Sequence, residues 1–188
     1  LIKLNVVDTE KKLKDFTEEE LAFFLYTEPV EVKNAKGSGI SSYQATLTVD
    51  HSYFHDNSYD GGSGGGISNT AGKLYVNHST FYNNYAKYGG GIETGGYNSY
   101  QVELNYVTIV GNHSNYGGGI FVNDPGVFVV KNSIIAKNMA SLDGADCKMY
   151  SPMTSISGGY NIVGSTCGTA LATDRFNADP QLGVFLPK

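Results

Sequence analysis

The sequence predicts an all-β solenoid: a right-handed, single-stranded parallel β-helix of about five coils, each of roughly 27 residues. Three observations carry this. A Gly-Gly-Gly-Ile motif recurs, ending at Ile67, Ile92 and Ile120, and related segments run from Val49 to Asn57, Val76 to Asn84, Leu104 to Asn112 and Val130 to Asn138. A large apolar position falls at Phe54, Phe81, Ile109, Ile135 and Ile162, in steps of 27, 28, 26 and 27. An asparagine position falls at Asn57, Asn84, Asn112 and Asn138, in steps of 27, 28 and 26. Two columns held in phase over four copies exceed what chance supplies.

The recurring residues lie in the same chain direction. A hairpin meander would pair residues palindromically, whereas stacking like on like requires parallel strands about 4.8 Å apart. A coil of this length accommodates three short strands and three turns. Four inward apolar side chains per coil then fill the bore, and each coil contacts only its neighbours. The column Phe54, Phe81, Ile109, Ile135 and Ile162 is the expected core stack. Identical amides at one turn can bond to the amides above and below, so Asn57, Asn84, Asn112 and Asn138 are expected to form a structural ladder. The glycine triplets suit a turn needing positive φ or close backbone approach.

The two ends depart from the repeat. Residues 1–36 are expected to form an N-terminal cap or extension. Thr17 to Glu20 is a capping-box pattern, and the following apolar run to Tyr26 reads as a short helix ended before Pro29. Capping answers a physical need, because an open solenoid end exposes core and unpaired strand edge. Residues 37–188 are expected to be the β-helix itself. The chain begins at Leu1 without a charged-then-apolar signal segment and reads as a processed product or excised fragment.

Composition excludes several functions. The net charge is −5, Arg occurs once, at Arg175, and no basic stripe exists, so a nucleic-acid footprint is missing. No apolar run approaches the length of a membrane span. No C-x-x-C pair points to zinc or thioredoxin-like chemistry.

In a solenoid, residues one coil apart form columns, so sites can be sought column by column. Asp50 is expected over Asn77, Asn105 and Lys131, and Asp56 over Asn83, Gly111 and Lys137; neither column pairs the carboxylates that glycoside hydrolysis requires. His51, His78 and Tyr106, followed by Asn132, share a column that is a candidate binding, metal or acid–base site, weighed against a plain exposed ladder. His55 and His113 are expected at turns. Asp143, Asp146 and Asp124 suggest at most a weak Ca²⁺ site, and no other cofactor is expected. Tyrosines cluster around the turns, among them Tyr59, Tyr82, Tyr85, Tyr88 and Tyr116, suiting sugar stacking, protein contact or simple turn packing. Asn77 heads a glycosylation sequon usable in a eukaryotic host, and Asn112 heads another inside the expected ladder.

The pattern Asn-Ser-x-Phe/Ile-x-x-Asn followed by Gly-Gly-Gly-Ile resembles the repeats of bacterial surface β-helix proteins. These include the polymorphic outer membrane proteins and adhesin-like proteins with a choice-of-anchor C-terminal region. The tail is similar to the second group, with Asp146-Cys147, Gly159 to Gly164, Cys167 and Asp179 to Gly183 in that order. The resemblance covers about residues 40–188 and implies extracellular or cell-surface placement, without a catalytic mechanism. The broader superfamily, similar to pectate lyases, includes polysaccharide-degrading enzymes. In that exported setting Cys147 and Cys167 are expected to form a disulfide, the alternative being two buried thiols. The bridge would close a loop of about 20 residues, worth about 3 kcal/mol. The expected function is a non-catalytic adhesin, stalk or filament module, and the alternative is a carbohydrate-active enzyme or carbohydrate-binding module. Expected partners are carbohydrate or protein on a surface, or further copies stacked end to end, with no nucleic acid.

Overall fold

Strands of two to six residues build the coils, and many of the turns between them carry one left-handed residue. The computed structural model describes residues 30–96, 101–123, 126–150, 154–165 and 170–183. A lone strand, β1 (Val30–Lys33), precedes four complete coils. The first coil is β2 (Ile40–Tyr43), β3 (Thr46–Asp50), β4 (Ser52–His55) and β5 (Ser58–Ser63). The second is β6 (Ile67–Thr70), β7 (Lys73–Asn77), β8 (Thr80–Tyr82) and β9 (Tyr85–Tyr88). The third is β10 (Ile92–Gly95), β11 (Gln101–Asn105), β12 (Thr108–Val110) and β13 (His113–Tyr116). The fourth is β14 (Ile120–Val122), β15 (Val127–Lys131), β16 (Ile134–Ala136) and β17 (Met139–Asp143). A partial fifth coil, β18 (Cys147–Met149), β19 (Thr154–Gly159) and β20 (Ile162–Val163), is followed by β21 (Arg175–Phe176).

Among the described residues all pairing is parallel, and the strands form four sheets running along the solenoid. Each coil therefore has four strands rather than the expected three. The fourth sheet arises because the chain after the asparagine column extends again before reaching the glycine triplet. The strand β1 joins the sheet of β4, so stacked structure reaches into the segment expected as a cap. The expected helix ending at Tyr26 lies outside the described residues.

The first core column runs through Val32, Phe54, Phe81, Ile109, Ile135, Val163 and Phe176, each in register with the next. The Phe54 and Phe81 rings stack 4.7 Å apart at 3°. The expected fifth member, Ile162, is one place out: it pairs with Ile134, and buried Val163 lies over Ile135. The cause is a bulge. Val130 pairs with Ser157 but Lys131 with Gly159, so Gly158 is an extra residue that advances everything after it by one. A second column runs Ile40, Ile67, Ile92, Ile120 and Cys147. Coil two thus contributes Ile67, Leu74, Val76 and Phe81 to the bore, all fully buried.

The asparagine ladder is formed and is polar in one direction. The Nδ2 of Asn57 donates to Oδ1 of Asn84 (2.8 Å), Asn84 to Asn112 (2.9 Å) and Asn112 to Asn138 (3.0 Å). Each acceptor oxygen also takes the backbone N–H of the preceding asparagine. Each Nδ2 donates besides to a carbonyl of the coil before: Val32, Phe54, Phe81 and Ile109. Asp146 Oδ1 ends the run, accepting both donors of Asn138 at 3.0 Å. A second column does similar work at another corner. Ser79 Oγ takes the N–H of Ser52, Ser133 Oγ that of Val107, Asn161 Oδ1 that of Ser133, and Asp174 Oδ1 ends this run by accepting from Asn161.

The glycine triplets serve both expected purposes. Gly64, Gly89 and Gly117 have φ of 66°, 61° and 64°, while a Cβ on Gly66 would lie 2.6 Å from the Gly91 carbonyl of the next coil. Any side chain there would push the coils apart.

Replacing Asn112 by Leu leaves the N–H and amide of Asn84 without their acceptor inside the bore. Stability is expected to fall by about 3 kcal/mol. The change Asn115→Ala, at an exposed contact with Ser141, is expected to cost under about 0.5 kcal/mol. Urea unfolding followed by circular dichroism checks both.

Candidate functional site

Among the described residues, two candidate regions outside the bore stand out for their chemistry-bearing side chains. The first is the corner after the sheet containing β3, β7, β11 and β15. Asp50, Asn77, Asn105 and Lys131 lie in register at its edge, as expected. The next residues, His51, His78, Tyr106 and Asn132, all have left-handed backbone, with φ of 45°, 44°, 55° and 52°. That conformation is unfavourable for side-chain-bearing residues, Asn, Asp and His adopting it more readily than others. It turns the side chains outward in a row. The rings of His51 and His78 stack with centroids 4.8 Å apart, and those of His78 and Tyr106 at 5.1 Å. The Oδ1 of Asp50 lies 3.0 Å from Nδ1 of His51 and 3.2 Å from Nδ1 of His78. Asn77, the sequon residue, sits partly buried between Asp50 and Asn105, whereas Asn112 is inside the ladder.

The second region is the outer face of the sheet of β2, β6, β10, β14 and β18. Its outward column reads Ser41, Ser68, Glu93, Phe121 and Lys148. The strand β5 bulges: Tyr59 pairs with Ala86 but Ser63 with Tyr88, so Asp60, Gly61 and Gly62 loop out as a wall. Between that wall and the sheet lies an open groove of about 540 Å³, lined among others by Ser38, Ser41, Tyr59, Ser68, Thr70 and Glu93. Next to it, aromatic rings from coils two to five meet. Tyr88 stacks on Tyr116 (5.5 Å), Tyr88 tilts against Phe121 (5.1 Å), and Phe121 against Tyr150 (6.1 Å). Glu93 is only 7% exposed, and burial pushes its carboxyl up to about 6, against the Ser68 hydroxyl that donates to Oε2 at 2.9 Å. A carboxyl in that state holds or gives a proton near neutrality.

Glu93 and Phe121 went unnoticed in the sequence, although the signal was present. They occupy the position after Ile in the Gly-Gly-Gly-Ile motif, where the first copy has Ser68.

The other expected residues are placed as follows. His55 is not at an exposed turn; it ends β4 with its ring buried between two acids. Its Nδ1 meets Asp56 Oδ2 at 2.6 Å, its Nε2 meets Glu31 Oε1 at 2.7 Å, and the Tyr53 ring stacks on it at 4.2 Å. The Lys33 ammonium, then His55, hold the Glu31 carboxyl below its ordinary range. Burial works against the charge on Asp56, but hydrogen bonds from His55 and Asn83 outweigh it and lower its carboxyl too. His113 opens β13 instead of lying at a turn. Asp143 and Asp146, considered for Ca²⁺, have separate partners: Asp143 pairs with the Lys148 ammonium, and Asp146 closes the asparagine ladder. Asp124 lies outside the described residues. Cys147 continues the isoleucine column of the bore, and Cys167, its expected partner, lies outside the described residues.

Residues 25–176 match a family model described as a right handed beta helix region. The chain belongs to the right-handed β-helix family. No curated protein and no solved structure matches it. Among the described residues of this β-helix, no helix is long and apolar enough to cross a membrane.

The raised Glu93 carboxyl fixes a pH effect and its sign. The folded chain holds this proton to about pH 6, whereas the unfolded chain loses it near the ordinary 4.5. Below pH 4.5 the group is neutral in both states and costs nothing; as pH rises towards 6 the fold loses stability, by about 2 kcal/mol in all. Glu93→Gln is therefore expected to stabilise the protein by about that amount above pH 6 and to leave it unchanged below pH 4.5. Denaturant midpoints measured from pH 4 to 7 check this.

Proposed function

We infer that this β-helix is a non-catalytic, secreted or cell-surface module that binds carbohydrate in the groove on the outer face of strands β2, β6 and β10. The observation that carries this reading is the contact between two unlike surfaces. A row of rings, Tyr88, Tyr116 and Tyr150, packed on or beside the buried Phe121, runs beside a cleft of hydroxyls and one carboxyl from Ser41, Ser68, Thr70 and Glu93. A sugar presents the matching pair, an apolar C–H face that packs on aromatic rings and an equatorial fringe of hydroxyls that needs close donors and acceptors. Parallel sheets hold these residues at one-coil spacing, so an extended polymer meets a regular series of contacts. Extracellular placement is supported by the resemblance of the repeats and tail to bacterial surface proteins. A rod whose coils are tied by ladders suits an adhesin or stalk.

A second reading, a glycan-cleaving enzyme, is favoured by the proton that Glu93 retains near pH 6. Glycoside hydrolysis also asks for a second carboxyl about 5–9.5 Å from the first, and none lies in the outward column of Glu93.

A glycan array followed by calorimetry on the intact chain is expected to find a polysaccharide or oligosaccharide ligand that is recovered uncut. Tyr116→Ala and Tyr150→Ala are each expected to weaken it by about 1 kcal/mol, or roughly fivefold. No glycan binding would overturn the proposal. Cleavage products that vanish with Glu93→Gln would establish the enzyme instead.

A further inference from the structure

We propose that Asp50, His51 and His78 form a binding site for a divalent transition-metal ion of the Zn²⁺ class, set at a corner of the solenoid and joining coils one and two.

The donor set is chemically right for such an ion. Two imidazoles and one carboxylate are the ligands that borderline metals take, whereas Ca²⁺ and Mg²⁺ prefer oxygen alone. The three ligand atoms all lie within 4.8 Å of one another. The two nitrogen-to-oxygen separations, 3.0 and 3.2 Å, can be set against a tetrahedral site. Bonds of 2.0 to 2.1 Å give a tetrahedron edge of about 3.3 Å. The Asp50 oxygen already sits close to that distance from both Nδ1 atoms, whereas the imidazole–imidazole edge, within 4.8 Å, closes by a small rotation of the half-exposed rings as an ion replaces the protons. Each ring would then carry its proton on Nε2. Water completes the coordination, because all three side chains are about half exposed.

The scaffold holds the donors in place before any ion arrives. Asp50 ends β3 in register with Asn77 of β7, so the corners bearing His51 and His78 are fixed one strand spacing apart. Asp50 Oδ1 also accepts the backbone N–H of His51 at 3.1 Å, which orients the carboxylate. The Tyr106 ring lies within 7° of parallel to His78 and limits its rotation. A plain exposed ladder needs only that the rings stack. It does not need both Nδ1 atoms turned to one carboxylate oxygen of the earlier coil.

Calorimetric titration of the intact chain with ZnCl₂ at pH 7.5, with MgCl₂ and CaCl₂ as comparisons, tests the site. One Zn²⁺ per chain is expected, with neither Mg²⁺ nor Ca²⁺ competing. His51→Asn and His78→Asn are each expected to weaken Zn²⁺ by at least about tenfold, as is acidification, since protons compete for the imidazoles. Asparagine tolerates the left-handed backbone of both corners, and circular dichroism confirms that the variants fold. His113→Asn is expected to leave binding unchanged. Co²⁺ added in place of Zn²⁺ is expected to give visible absorption that both corner variants lose. No stoichiometric Zn²⁺ binding, or binding equal in the wild type and the folded His51→Asn/His78→Asn double variant, would overturn the proposal.

Discussion

Everything in this molecule depends on coil-to-coil register, and register is enforced most strongly where amides are buried. A parallel strand pair can slip by two residues and still bury alternate side chains. The asparagine column forbids this, because a slipped coil would leave a buried amide and two backbone groups without partners. Such groups cost far more unpaired than they return when paired. The stacked apolar side chains supply most of the favourable free energy of burial, but the ladder decides which stacking is allowed. The corner rings, the outer groove and the Glu31–His55–Asp56 cluster are then consequences, since each is assembled from residues about one coil apart.

How legible this was varied with how tightly the repeat held. The columns Phe54–Phe81–Ile109–Ile135 and Asn57–Asn84–Asn112–Asn138 could be read directly, since nothing but stacking explains them. The register of Asp50 with Asn77 and the stack of His51, His78 and Tyr106 followed by counting. Counting failed at Ile162, where one inserted glycine, Gly158, changed the phase. It also gave three strands per coil instead of four, because the fourth strand, as in Tyr85–Tyr88 or His113–Tyr116, carries polar and aromatic residues without an apolar rhythm. His55 was misplaced because its burial depends on Glu31 of β1, a strand outside the repeat. Glu93 was missed because its burial depends in part on the β5 wall, a bulged segment that the repeat does not display.

The two chemical regions use one geometric property in different ways. At the corner, left-handed residues turn their side chains outward in a stacked row, so His51 and His78 stay about half exposed. On the flat sheet, outward residues are crowded by the neighbouring wall, so Glu93 loses water and its carboxyl rises to about 6. Solvation, not sequence composition, separates the two environments. An acid placed at the corner, such as Asp50, stays half exposed, and one placed on the sheet does not.

The direction of the ladders bears on how such a rod ends. Each asparagine donates to the following coil and accepts from the preceding one, so the last residue of a run has two donors pointing onward. An amide there would need a further partner for its own Nδ2, without limit. A carboxylate accepts and has nothing to donate, and so it closes the series. Both ladders end in this way, at Asp146 and at Asp174. At the opposite end the Asn57 oxygen is met by the Ala35 backbone N–H. The asparagine ladder is thus closed at both ends by groups of the same chain, and end-to-end stacking of copies would gain no rung from it.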